Sequence, residues 1–203
     1  LMNKRMSAHW LKEKNDYSNI KALWKFGAWI TVSNVVGPLM VIADRFIISS
    51  VLGAAVVAYY TIPLDSLIRM LIIPGALTVA LFPRITALIS VDLNAAKKLY
   101  SKATTIVTKV FAPILLVIAL SSHVWLSVWL GVEFADKSWV IASILSIGIF
   151  FNGIAQIPHA VIQAKGDARL TALIHLTEFA LYIPLLFIAI NYFGISGAAG
   201  VWV

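Results

Sequence analysis

The sequence has no cysteine, so disulfides, thiolate metal sites and cysteine nucleophiles are excluded. Charge is scarce as well. Only 12% of the 203 residues are charged and 61% are hydrophobic, against about 25% and about 45–50% in soluble domains. The first 25 residues are polar and basic, without the short apolar core and cleavage site of a secretory signal. There is no Gly-x-x-x-x-Gly-Lys-Ser/Thr loop for ATP, no His-Glu-x-x-His and no Gly-x-Ser-x-Gly. A membrane glycosyltransferase or polymerase would place catalytic acids or arginines in substantial loops, and the outer loops here are short. These absences favour a carrier over an enzyme, and neither a cofactor nor a metal is expected.

What the chain does have is long apolar runs. A membrane span needs about 20 mostly apolar residues at about 1.5 Å rise each. Five runs qualify: about Phe26 to Ser50, Ala58 to Phe82, Thr104 to Leu130, Trp139 to Gln163, and Leu170 to Tyr192. A sixth begins near Ile195 and is cut off. The expected fold is an all-α integral membrane helix bundle. Residues 1–25 read as a cytoplasmic or interfacial linker and residues 26–203 as a transmembrane lobe. The chain opens Leu1-Met2-Asn3 and stops inside an apolar run, which reads as a piece of a longer protein.

Lysine and arginine fall on one side of these runs. The leading segment, the second and fourth connections and Lys109 hold thirteen between them, whereas Lys137 stands alone in the opposite loops. The positive-inside rule puts the thirteen in the cytoplasm. The net charge of +7 therefore reflects topology and not nucleic-acid binding. Trp10 and Trp24 among lysines suit a headgroup region, although a disordered basic loop fits the same composition. Pro38, Pro63, Pro74, Pro113, Pro158 and Pro184 fall within spans and would kink them, as in transporters but also in static bundles.

An ionisable group inside a span is costly and is a functional hypothesis by default. The first two spans hold Asp44, Arg45, Asp65 and Arg69. With the turn near Ala54 and Ala55, Asp44 and Asp65 should lie at similar depth. Asp65 and Arg69 at i, i+4 can pair; Arg45 could instead reach Asp65 across the hairpin. The set reads either as an ion-pair cluster pinning two helices or as a cation site facing a cavity. Arginine suits phosphate through its planar fork, and Arg69 is the preferred candidate. In the fifth span His175 and Glu178 stand at i, i+3. They read as a packed, hydrogen-bonded pair or as a protonatable pair coupling transport to an ion gradient. His123, near Trp125 and Trp129, reads as interfacial, and His159 is assigned no role.

Phe26-Gly27-Ala28-Trp29-Ile30-Thr31-Val32-Ser33-Asn34, then Gly37-Pro38 and Ala43-Asp44-Arg45-Phe46, resemble the start of the second lobe of Wzx-type polysaccharide flippases, in the multidrug/oligosaccharidyl-lipid/polysaccharide exporter superfamily. Tyr59-Tyr60-Thr61-Ile62-Pro63, Ile73-Pro74-Gly75 and Leu81-Phe82-Pro83 resemble its next helix. Gln163-Ala164-Lys165-Gly166-Asp167-Ala168-Arg169 resembles a short cytoplasmic loop. His175-Leu176-Thr177-Glu178 with Tyr182-Ile183-Pro184 fits the following helix, and Phe193-Gly194-Ile195-Ser196-Gly197 the turn into the last.

The resemblance covers about Trp24 to the C-terminus. It implies the C-terminal six-helix lobe of a twelve-helix transporter in the bacterial inner membrane. The implied activity is translocation of a polyprenyl-diphosphate-linked oligosaccharide by alternating access, for surface polysaccharide such as O-antigen. Implied partners are the lipid-linked substrate, membrane lipids, the N-terminal lobe of the same chain and the polysaccharide polymerase machinery. Arg45 and Arg69 would contribute positive potential to the cavity, Asp44 and Asp65 would hold them, and Glu178 with His175 would carry the ion linkage. The alternatives are a multidrug cation exporter or lipid II flippase of the same superfamily, a membrane-embedded glycan polymerase or ligase, and a non-transporting assembly protein.

Overall fold

A computed structural model describes residues 17–165 and 168–203, nearly all of them helical. The helices are α1 (Tyr17–Leu52), α2 (Ala54–Ile68), α3 (Ile72–Val91), α4 (Leu93–Leu120), α5 (Ser122–Leu130), α6 (Val132–Ala164) and α7 (Ala168–Trp202). Five segments are long and apolar enough to cross a membrane: Gly27–Leu52, Ala54–Val91, Leu93–Leu120, Val132–Ala164 and Arg169–Trp202. The protein is thus an all-α polytopic membrane protein, as its hydropathy predicts. Residues 1–16 of the expected linker, including Trp10, and Gly166-Asp167 of the fourth connection lie outside the described residues. Tyr17 to Lys25 is continuous with α1, so no break in the helix marks the expected boundary after residue 25.

The connections are tighter than hydropathy alone suggests. The stretch from Pro83 to Ala103, expected as a loop, is helical on both sides of Asp92. Asp92 adopts an extended conformation and its Oδ1 accepts from the Asn94 and Ala95 backbone amides at 3.0 Å each. That caps the start of α4 and satisfies two otherwise orphaned donors. The Ala54–Val91 span has 38 residues, or about 57 Å of helix at about 1.5 Å per residue. The hydrocarbon core is only about 30 Å thick, so α3 and α4 project beyond it as a basic helical hairpin. Pro74 and Pro83 fall within α3, and a 3-10 turn at Arg69–Leu71 separates it from α2.

The expected third span, Thr104 to Leu130, is broken at Ser121. The freed carbonyls find partners. Ile118 O accepts the Trp125 indole N–H at 3.3 Å, and Ala119 O accepts the Ser143 hydroxyl at 2.9 Å. Internal satisfaction of this kind is what permits a break at membrane depth.

The turns at Gly53 and Gly131 have positive φ, and so does Gly194 inside α7. At Gly194 (φ 61°, ψ −146°) the backbone is not helical and the chain reverses. A Cβ on Gly197 would lie 2.2 Å from the Ala189 carbonyl oxygen, so only glycine permits this close return. Beyond the reversal, Trp202 packs on Gly148 of α6. The expected start of a sixth span is therefore a helix folding back into the bundle. α6 is the central helix: it packs against α2, α3, α4, α5 and α7, and carries buried Ile141, Leu145, Ile149 and Ile157.

Candidate functional site

Two polar constructions lie within the spans. The first sits toward the Gly53 end and joins α1, α2 and α7. Asp44 has no exposed surface. Its carboxylate accepts from the Tyr60 hydroxyl at 2.8 Å and from the Tyr182 hydroxyl. Tyr60 is likewise fully buried. Next to this core, Arg45 Nη2 meets Asp65 Oδ1 at 2.5 Å across the α1–α2 hairpin. Of the two pairings the sequence allows for Asp65, the cross-hairpin one forms. Asp44 holds tyrosines instead of an arginine. Arg69 is exposed in the 3-10 turn and has no ion-pair partner among the described residues.

The second construction is a groove toward the Asp92 end, bounded by α1, α3, α6 and α7. It consists of two adjoining cavities of about 740 and about 550 Å3 that share Asn152, Ala155 and His175. Asn152, Gln156, His159 and Gln163 follow at i, i+4, i+7 and i+11 along α6, which places all four on one helix face. None of their side chains has a hydrogen-bond partner among the described residues, and Nε2 of His159 is buried. A Cβ on Gly75 of α3 would lie 3.3 Å from Gln156 Oε1, so the small residue leaves room for that amide.

Across the groove on α7, His175 Nδ1 and Glu178 Oε2 are 3.1 Å apart, so the expected pair forms. The His159 and His175 rings lie 5.7 Å apart, tilted by 55°. No cluster of three or more His, Asp or Glu among the described residues is placed to hold a metal ion. Among the described lining residues Glu178 is the single acidic side chain, and none is Lys or Arg. Tyr182 lines the far end of the groove while donating to Asp44, so the two constructions adjoin. A separate crevice of about 530 Å3 between α4 and α6, lined by Pro113, Leu116, Ile147 and Phe150, is apolar and has nothing to orient a polar ligand.

His123, expected at the interface, pairs through Nε2 with Asp136 Oδ1 at 2.8 Å. Close by in sequence, Lys137 meets Glu133 at 2.8 Å and the Tyr59 hydroxyl at 3.3 Å, tying the start of α6 to α2. The residues that sequence reasoning missed are Asn152, Gln156 and Gln163, with His159 given no role. Their signal was a polar stripe at helical spacing inside an apolar span. Tyr60 and Tyr182, the partners of Asp44, were also missed.

Fold and groove together define a polytopic helical membrane protein with a polar recess open at its side. Residues 2–139 match the family described as polysaccharide biosynthesis protein. More than half the chain is covered, so the chain belongs to that family, and the resemblance to Wzx-type polysaccharide flippases stands. A candidate O-antigen transporter of Shigella flexneri is 38% identical over 186 residues, covering 92% of this chain and 44% of the relative. The chain spans less than half the length of this relative. No solved structure matches the chain.

Proposed function

We propose that the protein moves a polyprenyl-diphosphate-linked oligosaccharide across the bacterial inner membrane by alternating access, as one lobe of a two-lobe carrier. The observation that carries this reading is the groove. A membrane helix that keeps four uncommitted polar side chains on one face forgoes about 1–3 kcal/mol for each group that stays unpaired. Such groups are retained where a polar ligand or water meets them. Membership of a polysaccharide biosynthesis family and similarity to a candidate O-antigen transporter supply the class of cargo.

In this reading Arg69, exposed and without an ion-pair partner among the described residues, meets the diphosphate. Arg45, held by Asp65, adds positive potential, and Asp44 braces the helices that carry them. His175 with Glu178 carries a linked proton or sodium ion. Residues 1–25 lie in the cytoplasm, and the preceding lobe of the same chain forms the opposite wall.

The test is leaflet exchange by the full-length protein in proteoliposomes, with defined polyprenyl-diphosphate glycans. Exchange is expected, and Arg69→Lys should slow it about tenfold although charge is kept, because the guanidinium fork is lost. One observation favours a second reading, a multidrug cation exporter: among the described residues lining the groove, the acid Glu178 is the one Asp, Glu, Lys or Arg. No exchange of any glycan, with export of a cationic dye, would establish that reading over the first.

A further inference from the structure

The two constructions differ in where the arginines stand, beside the first and outside the second, and a lipid-linked glycan has two chemically different parts. Its diphosphate is anionic. Its sugars are mostly neutral polyols with hydroxyl groups on the ring edge and C–H groups on the faces. The arginines stand outside the groove lining, whereas the groove offers amides, imidazoles and one carboxylate. A diphosphate in the groove would face Glu178 with no cation to offset it, a costly arrangement in low dielectric. Sugar hydroxyls, each both donor and acceptor, match side-chain amides that are themselves both donor and acceptor.

We infer that the groove is a glycan subsite, in which Asn152, Gln156 and His159 hydrogen-bond sugar hydroxyls and determine which sugars the carrier accepts. This rests on the translocation reading and adds to it which part of the substrate the groove takes. Three observations support it. The amides of Asn152 and Gln156 have no protein partner among the described residues, so ligand binding breaks no internal bond. Phe82 and Phe151 border the polar stripe with exposed rings, which suits the apolar faces of sugars. The joint volume fits a ligand larger than one ring, since pockets of about 300–1,000 Å3 hold drug-sized molecules.

The decisive experiment places a single cysteine at Ala155, which borders both cavities, in an otherwise cysteine-free full-length protein, and follows its labelling by a small maleimide. The probes are free oligosaccharide, released by mild acid from the host cell's lipid-linked glycans, and inorganic pyrophosphate. The oligosaccharide should slow labelling, and pyrophosphate should not. Adding Asn152→Ala or Gln156→Ala should weaken the protection about three- to tenfold, the worth of one hydrogen bond.

Protection by pyrophosphate alone overturns the inference in favour of an anion site. Protection by neither probe, or a cysteine that never labels, overturns it because the groove then admits no soluble glycan. Protection untouched by either alanine overturns the assignment of those residues. Leaflet exchange by the parent protein is read separately. Normal exchange without protection sinks the glycan subsite alone. Protection without exchange sinks translocation and leaves the subsite standing.

Discussion

The Asp44 cluster and the α6 stripe are both polar and both lie within spans, yet they are built in opposite ways. Around Asp44 the principal groups are committed: two tyrosine hydroxyls on one carboxylate, and Arg45 on Asp65. Along α6 the side chains of Asn152, Gln156, His159 and Gln163 have no hydrogen-bond partner among the described residues. Both cost desolvation when the chain enters the membrane, but only the cluster recovers that cost internally. Committed polar groups fix the helices relative to one another. Uncommitted ones are free to meet a ligand.

This contrast can be broken by mutation, and the largest effect falls on the cluster. Asp44→Ala leaves two buried tyrosine hydroxyls without their acceptor, and at about 1–3 kcal/mol each the loss should be about 2–6 kcal/mol. Thermal unfolding in detergent micelles measures it. Asp44→Asn, which keeps one of the two acceptor oxygens, should lose about half as much, and equal losses would refute the two-tyrosine arrangement. Next comes Gly197→Ala. Its methyl group meets the Ala189 carbonyl, so the return after Gly194 must open, at about 1–3 kcal/mol. Faster proteolysis near Gly194 is the expected signature.

Arg45→Met follows, at roughly 1–2 kcal/mol, because Asp65 keeps its charge without a partner. Adding Asp65→Asn should recover most of that loss, and a double variant no better than the single one would show the pair to be uncoupled. The smallest effect on stability belongs to the stripe. Asn152→Leu and Gln156→Leu should leave the protein no less stable than the parent, since no protein hydrogen bond is lost and an unpaired polar group is removed. Leaflet exchange should fall in both. A stripe variant as destabilised as Asp44→Ala would erase the distinction between the two regions.

Much of the architecture was legible in the sequence because a bilayer imposes length and polarity on each span. The five spans and the similar depth of Asp44 and Asp65 followed from hydropathy, helical rise and a short hairpin, which left Arg45 and Arg69 both open as partners of Asp65. The break at Ser121 and the helical hairpin around Asp92 did not. Apolar composition continues through the first, and charge in the second is as compatible with helix as with loop. The α6 stripe was in plain view at helical spacing. It escaped because its members are neutral, and attention to charge inside the membrane passes over amides.

The sequence by itself determined that this is a helical membrane protein, where its spans lie and that Asp44, Arg45, Asp65 and Arg69 sit inside them. Those are local properties, set by side-chain polarity against about 30 Å of hydrocarbon. Only the tertiary structure decided which polar groups are spent. Tyr182 lies 138 residues from Asp44, and no periodicity predicts that its hydroxyl ends on that carboxylate. The same packing, with α3 and α7 against α6 and α1 held on α7, left the stripe facing an open groove, because partnership depends on which faces meet and not on the faces alone.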